Sequence, residues 1–310
     1  MIKYLKQSEI DYDKWDKCIA ESLNSMVYAY SWYLDIVAGE WDALIEDDYM
    51  SVFPLPYRIK LGIKYVYQPV LTQQLGVFSR EDIDDNKTQQ FVFAIPKDFK
   101  LIEINLNSYN KLYGNKKYKV ISNTNIELNL GTDYESLKKA YSKNLKRNIN
   151  KAKRNELSIN NNLKPETLIE LFKQNKGSEI DAFSENDYAI ILRLMYFLIG
   201  NNKAEIIGTY SKENTLLCSI FIIKDSKRHI FIFSGLSDEG KEKGAMPFIV
   251  NNYIEEHTKE NIIFDFEGSN NPSLARFFMG FGSYESIYKS LRYYQMNTAL
   301  KSVLKIAGKI

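Results

Sequence analysis

The spacing of apolar positions changes period several times along the chain, and each change marks an element. Apolar residues recur at three- and four-residue steps from Tyr12 to Leu23 and from Tyr30 to Val37, which predicts two helices. The runs ALIED, MSVFPLPY and KYVYQPV have the length and side-chain content of strands. Asp47-Asp48 and Lys60-Leu61-Gly62 supply the turns between them. A helix over Lys87 to Ile95 leads to the strand FKLIEINLN, and two shorter strands are expected around Tyr118 to Val120 and Asn125 to Leu130.

The second half repeats this order. Helical spacing covers Pro165 to Lys176 and Glu185 to Leu198; the strands AEIIGTY, TLLCSIFIIK and HIFIFSGL follow, then a helix from Ala245 to Thr258 and the strand NIIFDFE. Each half thus reads as two helices, three antiparallel strands, one helix and one strand. That order predicts an α/β fold with mixed sheets, built from a duplicated unit. The expected division is a first domain over 1–133, a connecting helix over 134–156, a second domain over 157–297 and a tail helix over 298–310.

The connecting segment carries the sharpest local pattern. Between Glu135 and Glu156 lie eight Lys or Arg and no acid. Leu137, Tyr141, Leu145, Ile149 and Ala152 form one apolar stripe, with Lys139, Lys143, Arg147, Lys151 and Arg154 roughly opposite. A single amphipathic helix is expected. Its basic face is either solvated surface or an anion contact, with Arg147 and Lys151 as candidate substrate-binding residues; tRNA backbone, a nucleotide diphosphate and acidic lipid are the anions considered. In the tail, Lys301, Lys305 and Lys309 repeat the pattern more mildly, as a docked terminal helix or a membrane-surface one.

Composition narrows the function without naming it. In 310 residues, 45% are hydrophobic and 26% charged, and the formal net charge of +2 gives no global attraction to nucleic acid. Two histidines argue against a histidine-based metal site, and no metal is expected. Cys18 and Cys218 have no CxxC partner, which excludes zinc spacing and a disulfide framework. Charges throughout residues 1–20 exclude a signal core, and no apolar run is long enough for a membrane span, so a cytoplasmic location is expected.

Three stretches carry candidate chemistry. SDEGKEKGAMPF enters a helix through Gly240 and Gly244. A glycine loop there leaves N–H groups and the positive dipole end open to a phosphate, with Lys243, Gly244 and Ala245 as the candidate residues. In NIIFDFE, alternation puts Ile262, Phe264 and Phe266 on one face and Asp265 and Glu267 on the other, near a strand end where ligands collect. Either carboxylate is a candidate general base, or both merely close the strand or pair with Arg276. Asn271 and Pro272 suit the start of the next helix. Gln73 and Gln74 follow the strand KYVYQPV, where adjacent amides hold a peptide or sugar or else satisfy loop backbone. Tyr28, Tyr30, Trp32 and Tyr33 line a cleft or pack the core.

The run NPSLARFFMGFG, with Asn271, Ala275, Phe278, Gly280 and Phe281, resembles the closing part of the GNAT acyltransferase fold. GKEKGA resembles that family's pyrophosphate loop, although Gly240 stands where the loop usually opens with Gln or Arg. Over nearly the whole chain, SLNSMVYAYSWYLD, QPVLTQQLGVF, SKNLKRNINKAKR and DFEGSNNPSLARFFMGFG look like the Fem peptidoglycan aminoacyltransferases and their FemAB/BioF2-like relatives. The resemblance implies two tandem GNAT-like domains. It also implies acyl or aminoacyl transfer to the amine of a small molecule or peptide, in cell-envelope precursor metabolism. The donor it implies is acyl-CoA or aminoacyl-tRNA, and it calls for no further cofactor. It adds Asn271 to the cofactor-binding set. The alternatives are a non-catalytic binding protein on a degenerate GNAT scaffold and a peripheral factor acting on anionic lipid.

Overall fold

The computed structural model describes residues 1–161, 163–177, 183–268 and 270–295, so the tail segment with Lys301, Lys305 and Lys309 lies outside the described residues. The chain separates into two compact units: Met1–Asn123 with the segment from Ile287, and Thr124–Ser286.

The first unit begins with β1 (Ile2–Leu5), α1 (Tyr12–Glu21) and α2 (Ser31–Val37). It continues through β2 (Trp41–Glu46), β3 (Ser51–Lys60), β4 (Ile63–Val66) and β5 (Phe78–Ser79), then α3 (Asp85–Ala94) and β6 (Phe99–Leu106). β1 to β4 pair antiparallel in sequence order, and β6 adds to β4 in parallel. Helix α1 starts where the Asp11 carboxylate accepts the Lys14 N–H (3.1 Å), and buries Trp15, Cys18 and Ile19 on one stripe. Tyr28 and Tyr33 are buried among this core, which answers the cleft-or-core alternative for those two rings.

β7 (Tyr118–Asn129) carries the chain into the second unit. It is one long strand where two short ones were expected. Then come α4 (Tyr134–Ala140), α5 (Lys143–Arg154), β8 (Ser158–Asn160), α6 (Pro165–Phe172) and α7 (Glu185–Gly200). Strands β9 (Ala204–Tyr210), β10 (Leu216–Lys224) and β11 (Arg228–Leu236) follow, then α8 (Asp238–Lys243), α9 (Ala245–Glu256), β12 (Ile263–Asp265) and α10 (Pro272–Met279). β13 (Tyr284–Tyr294) returns the chain to the first unit, where it pairs antiparallel with β6. Within the second unit, β10 lies between β9 and β11, both antiparallel to it. β12 runs parallel to β11 and antiparallel to β7.

The basic segment is two helices rather than one. At the break the Ser142 N–H leaves the helical ladder for the Gly280 carbonyl (2.8 Å), and the Ser142 hydroxyl caps α5 by accepting the Leu145 N–H (3.2 Å). The apolar stripe survives the break: Leu137, Tyr141, Leu145, Ile149 and Ala152 are all buried against Ile249, Val250 and Phe281 in one core. Arg147 and Lys151 stay exposed. Cys18 and Cys218 are buried thiols, and burial pushes the Cys18 thiol up to about 11, far from a reactive thiolate. No helix among the described residues is long and apolar enough to cross a membrane.

The two stripes of α5 predict opposite responses to truncation. Ile149→Ala should cost about 2–5 kcal/mol in urea unfolding, because it empties a buried site. Lys151→Ala, on the exposed face, should stay within about 0.5 kcal/mol of the parent. Equal costs would show that α5 does not dock through its apolar stripe.

Candidate functional site

In the second unit two parallel strands part as a wedge after a short pairing, and Phe278 of α10 packs against both, on Phe231 and Phe266. β12 pairs with β11 over three residues only, Arg228 with Ile263 through Ile230 with Asp265. Beyond that point β11 continues to Leu236, whereas the other strand stays with β7, the Phe266 N–H reaching the Ile126 carbonyl (3.0 Å). Helix α9 is the crossover between the two strands, so its N-terminus lies at the end of the sheet where they part.

Asp265 closes this strand end and is itself buried, 1% exposed. Arg228 Nη1 donates to Asp265 Oδ2 (2.6 Å) and to Glu127 Oε1 (2.9 Å). The Glu267 backbone N–H donates to Asp265 Oδ1 (2.8 Å), and the Tyr284 hydroxyl to Glu127 Oε2 (3.3 Å). Burial pushes the Asp265 carboxyl up and the Arg228 guanidinium pulls it down. Of the alternatives for Asp265, the ion pair is the one found, and its partner is Arg228 rather than Arg276. The expected common face for Asp265 and Glu267 is lost. Glu267 takes a left-handed backbone (φ 51°) and leaves the strand, with a half-buried side chain. Sequence reading missed Arg228 and Glu127, whose charges sit in strand positions distant along the chain; a charged residue opening the apolar run HIFIF was the available signal.

The glycine loop is a helix. Residues Asp238–Lys243 form α8, capped by the Ser237 hydroxyl accepting the Gly240 N–H (3.0 Å). Lys243 Nζ pairs with Glu239 (2.7 Å). Gly244 then turns left-handed (φ 80°), and α9 begins at Ala245. A Cβ on Gly244 would lie 2.6 Å from the Asn148 carbonyl oxygen, so α5 crosses directly against the start of α9. Two anion signals nearly a hundred residues apart in sequence are thus neighbours: the N-terminal turn of α9, and the basic helix carrying Arg147 and Lys151. Arg147 Nη2 donates to Asn144 Oδ1 (2.7 Å). Asn271 caps α10 by accepting the Ser273 (2.9 Å) and Leu274 (3.3 Å) N–H groups.

A cavity of about 160 Å³ lies among α4, α5 and α9, lined by Lys138, Lys146 and Lys153 with Tyr134, Tyr141 and Asn251. The buried Tyr141 hydroxyl has no hydrogen-bond partner there. These lysines were not singled out from sequence because they flank the apolar stripe rather than the basic one.

In the first unit, Gln74 is buried, donates to Gln73 Oε1 (2.7 Å) and accepts the Ser108 N–H (3.0 Å), while the Gln73 carbonyl accepts from Asn105 Nδ2 (2.9 Å). The Gln74 amide thus supports loop backbone, and the Gln73 side chain holds Gln74. A wider hollow of about 940 Å³ also belongs to this unit, lined in part by Tyr4, Asp42, Tyr57 and Lys64. Of its two lysines, Lys64 pairs with Asp42 (2.7 Å) and lies over the Tyr57 ring (4.0 Å), and Lys6 also lines the hollow.

No family model and no curated protein matches the sequence. Solved structures match in fold. FemX has a TM-score of 0.66 at 11% identity, over 97% of this chain and 99% of that one. A tandem GNAT protein from the clavulanic acid biosynthesis pathway has 0.55 at 10% identity, over 96% and 100%. L-PGS from Bacillus licheniformis has 0.53 at 15%, over 97% of each chain. At these identities the likeness concerns the fold, and the fold is a mixed α/β one with two GNAT-like domains.

Removing Arg228 leaves Asp265 and Glu127 buried without their counter-charge. Arg228→Ala should destabilise by about 3–5 kcal/mol at neutral pH. The sign of its pH dependence follows from Asp265. A carboxyl raised by burial binds its proton more readily folded than unfolded, so acidification favours the folded state, more so once Arg228 is gone. The deficit should narrow as pH falls from neutral toward about 5. Urea midpoints at both pH values check this, and a deficit that widens on acidification contradicts it.

Proposed function

We propose that the chain is an N-acyltransferase, moving an acyl or aminoacyl group from acyl-CoA or aminoacyl-tRNA to the amine of a small molecule or peptide. The observation that carries this reading is the wedge between β11 and β12, with the N-terminus of α9 at its open end and the basic helix α5 against that turn. An extended carrier laid along an unpaired strand edge gains main-chain hydrogen bonds, and its phosphates meet the positive end of α9 beside Arg147 and Lys151. Gly244 and Ala245 supply the turn without bulk, and Lys243 stands at its entry. The Fem-type likeness supports a cell-envelope acceptor.

Transfer to an amine needs the donor carbonyl held beside the nucleophile, donors for its developing oxyanion, and a route for the proton. Of the two carboxylates at the strand end, Asp265 is committed to Arg228, so its part is to position the strand. Glu267 is the candidate general base, taking a proton from the attacking amine directly or through water as the C–N bond forms; the donor's C–S or C–O bond then breaks, and the CoA thiol or tRNA hydroxyl leaves with a proton. Held by the bend of its own backbone, it lies just past the point where the strands part.

Equilibrium binding of acyl-CoAs and of aminoacyl-tRNA to the full chain tests the donor. Arg147→Ala with Lys151→Ala should weaken binding and reduce the slope of log K against log salt by about one for each phosphate no longer neutralised. Glu267→Gln should lower turnover by about 10²- to 10⁴-fold with donor affinity and melting temperature unchanged. Failure of both donors to bind sinks the proposal. Binding without turnover in the parent chain leaves the non-catalytic reading in its place.

A further inference from the structure

Both histidines of the chain meet in the second unit, against the expectation drawn from their scarcity. His229 lies on β11 and His257 is the C-cap of α9, and their rings are 5.0 Å apart, nearly perpendicular. Glu260 follows in the turn after α9, and one ligand atom from each of the three lies within 4.8 Å of the others. Glu205 of β9 lies on the other side of the His257 ring: its Oε1 is 4.0 Å from Nε2 and 3.6 Å from the Lys224 ammonium, whereas Glu260 meets Nδ1.

We propose that His229, His257 and Glu260 form a binding site for a divalent transition-metal ion of the zinc class, with solvent completing its coordination. Two imidazoles and one carboxylate are a common protein donor set for such an ion; magnesium and calcium favour all-oxygen sites. His229 is prepared for the role. Its Nδ1 is engaged with the Tyr253 hydroxyl (2.7 Å), which leaves Nε2 for the metal in the way that outer hydrogen bonds orient ligating histidines. The turn bearing Glu260 is fixed by the Lys259 N–H, which donates to the Leu130 carbonyl (2.8 Å). The C-terminal end of α9 adds a favourable potential for a cation. His257 and Glu260 now share a hydrogen bond (2.9 Å), and metal binding exchanges it for two coordinate bonds. A tetrahedral ion with bonds of ~2.0 Å holds its donors ~3.3 Å apart, a contraction within reach of side-chain rotation.

This site stands apart from the acyl-transfer wedge. It lies at the other end of α9, about 18 Å along the helix axis for its 12 residues, and its test needs no donor.

The test uses the chelator-stripped full chain. Zinc should raise its melting temperature in a saturable way, and cobalt should give the visible absorption of a tetrahedral site without a thiolate charge-transfer band. Magnesium should do neither. His257→Ala and Glu260→Gln, both at part-exposed positions, should fold as the parent does and lose both responses. Tyr253→Phe should weaken zinc binding about 10- to 100-fold, as expected when an outer hydrogen bond to a ligand is removed. A parent chain with no saturable response to zinc or cobalt overturns the proposal. So does a full response in His257→Ala or Glu260→Gln, which would place the metal elsewhere. Unchanged affinity in Tyr253→Phe overturns the part given to His229.

Discussion

Everything at the open end of the second unit depends on one buried ion cluster. Arg228 sits between Glu127 and Asp265 and ties together three neighbouring strands, β7, β11 and β12. Desolvating these groups costs several kcal/mol each, so the cluster is better understood as a device for alignment than as a source of net stability. Its geometric consequence is definite. Asp265 uses its second oxygen to take the Glu267 N–H, which bends the chain out of β12 through two successive left-handed residues, Glu267 and Gly268. Gly268 has to be glycine, since a Cβ there would lie 2.3 Å from the Asn125 Cα. The strand stops where the charge cluster stops it, and the wedge begins at that residue.

The other wall of the site is set by a close approach rather than by charge. The backbone of α5 at Asn148 comes so near Gly244 that no side chain fits between them. The buried stripe of α5 holds this approach in place against α9, with Leu145 and Ile149 in the same core as Ile249 and Val250. A helix with this much positive charge would gain nothing from solvent by lying flat on a neighbour. The apolar stripe makes it dock, and docking brings the backbone of α5 to the turn before α9. Gly244 thus serves packing first, and any phosphate contact uses an N-terminus that packing has already shaped.

What the sequence made legible was local. The apolar stripe of α5, the cap at Asn271 and most of the strands followed from periodicity and from hydrogen-bonding side chains a few residues away. The errors have particular causes. Residues 238–243 read as a loop because five of the six are charged and the sixth is Gly240, a composition without an apolar helical stripe. The Ser237 cap and the fit of Gly240 against the Leu217 carbonyl, 2.4 Å from where a Cβ would stand, decide for helix. The break at Ser142 was hidden because the Gly280 carbonyl that takes its N–H is far along the chain. Asp265 and Glu267 looked alike as alternate residues of one strand, and only the partner at Arg228 separates them. The two histidines converge because a crossover returns the end of α9 to the start of β11, and no short window of sequence contains that return.

Helix α9 therefore has two chemically distinct ends for one physical reason. Parallel pairing of β11 with β12 requires a crossover, and a crossover fixes which way the helix dipole points relative to the strands. Its positive end comes to the side where the strands part, and there its neighbour is the backbone of α5 at Asn148. Its negative end comes to the side where the strands begin, and there the neighbours are two imidazoles and two carboxylates, a combination suited to a cation. The dipole acts over little more than a turn at either end, so neither site needs the other to be filled. The topology alone decides which end of the helix meets which set of neighbours.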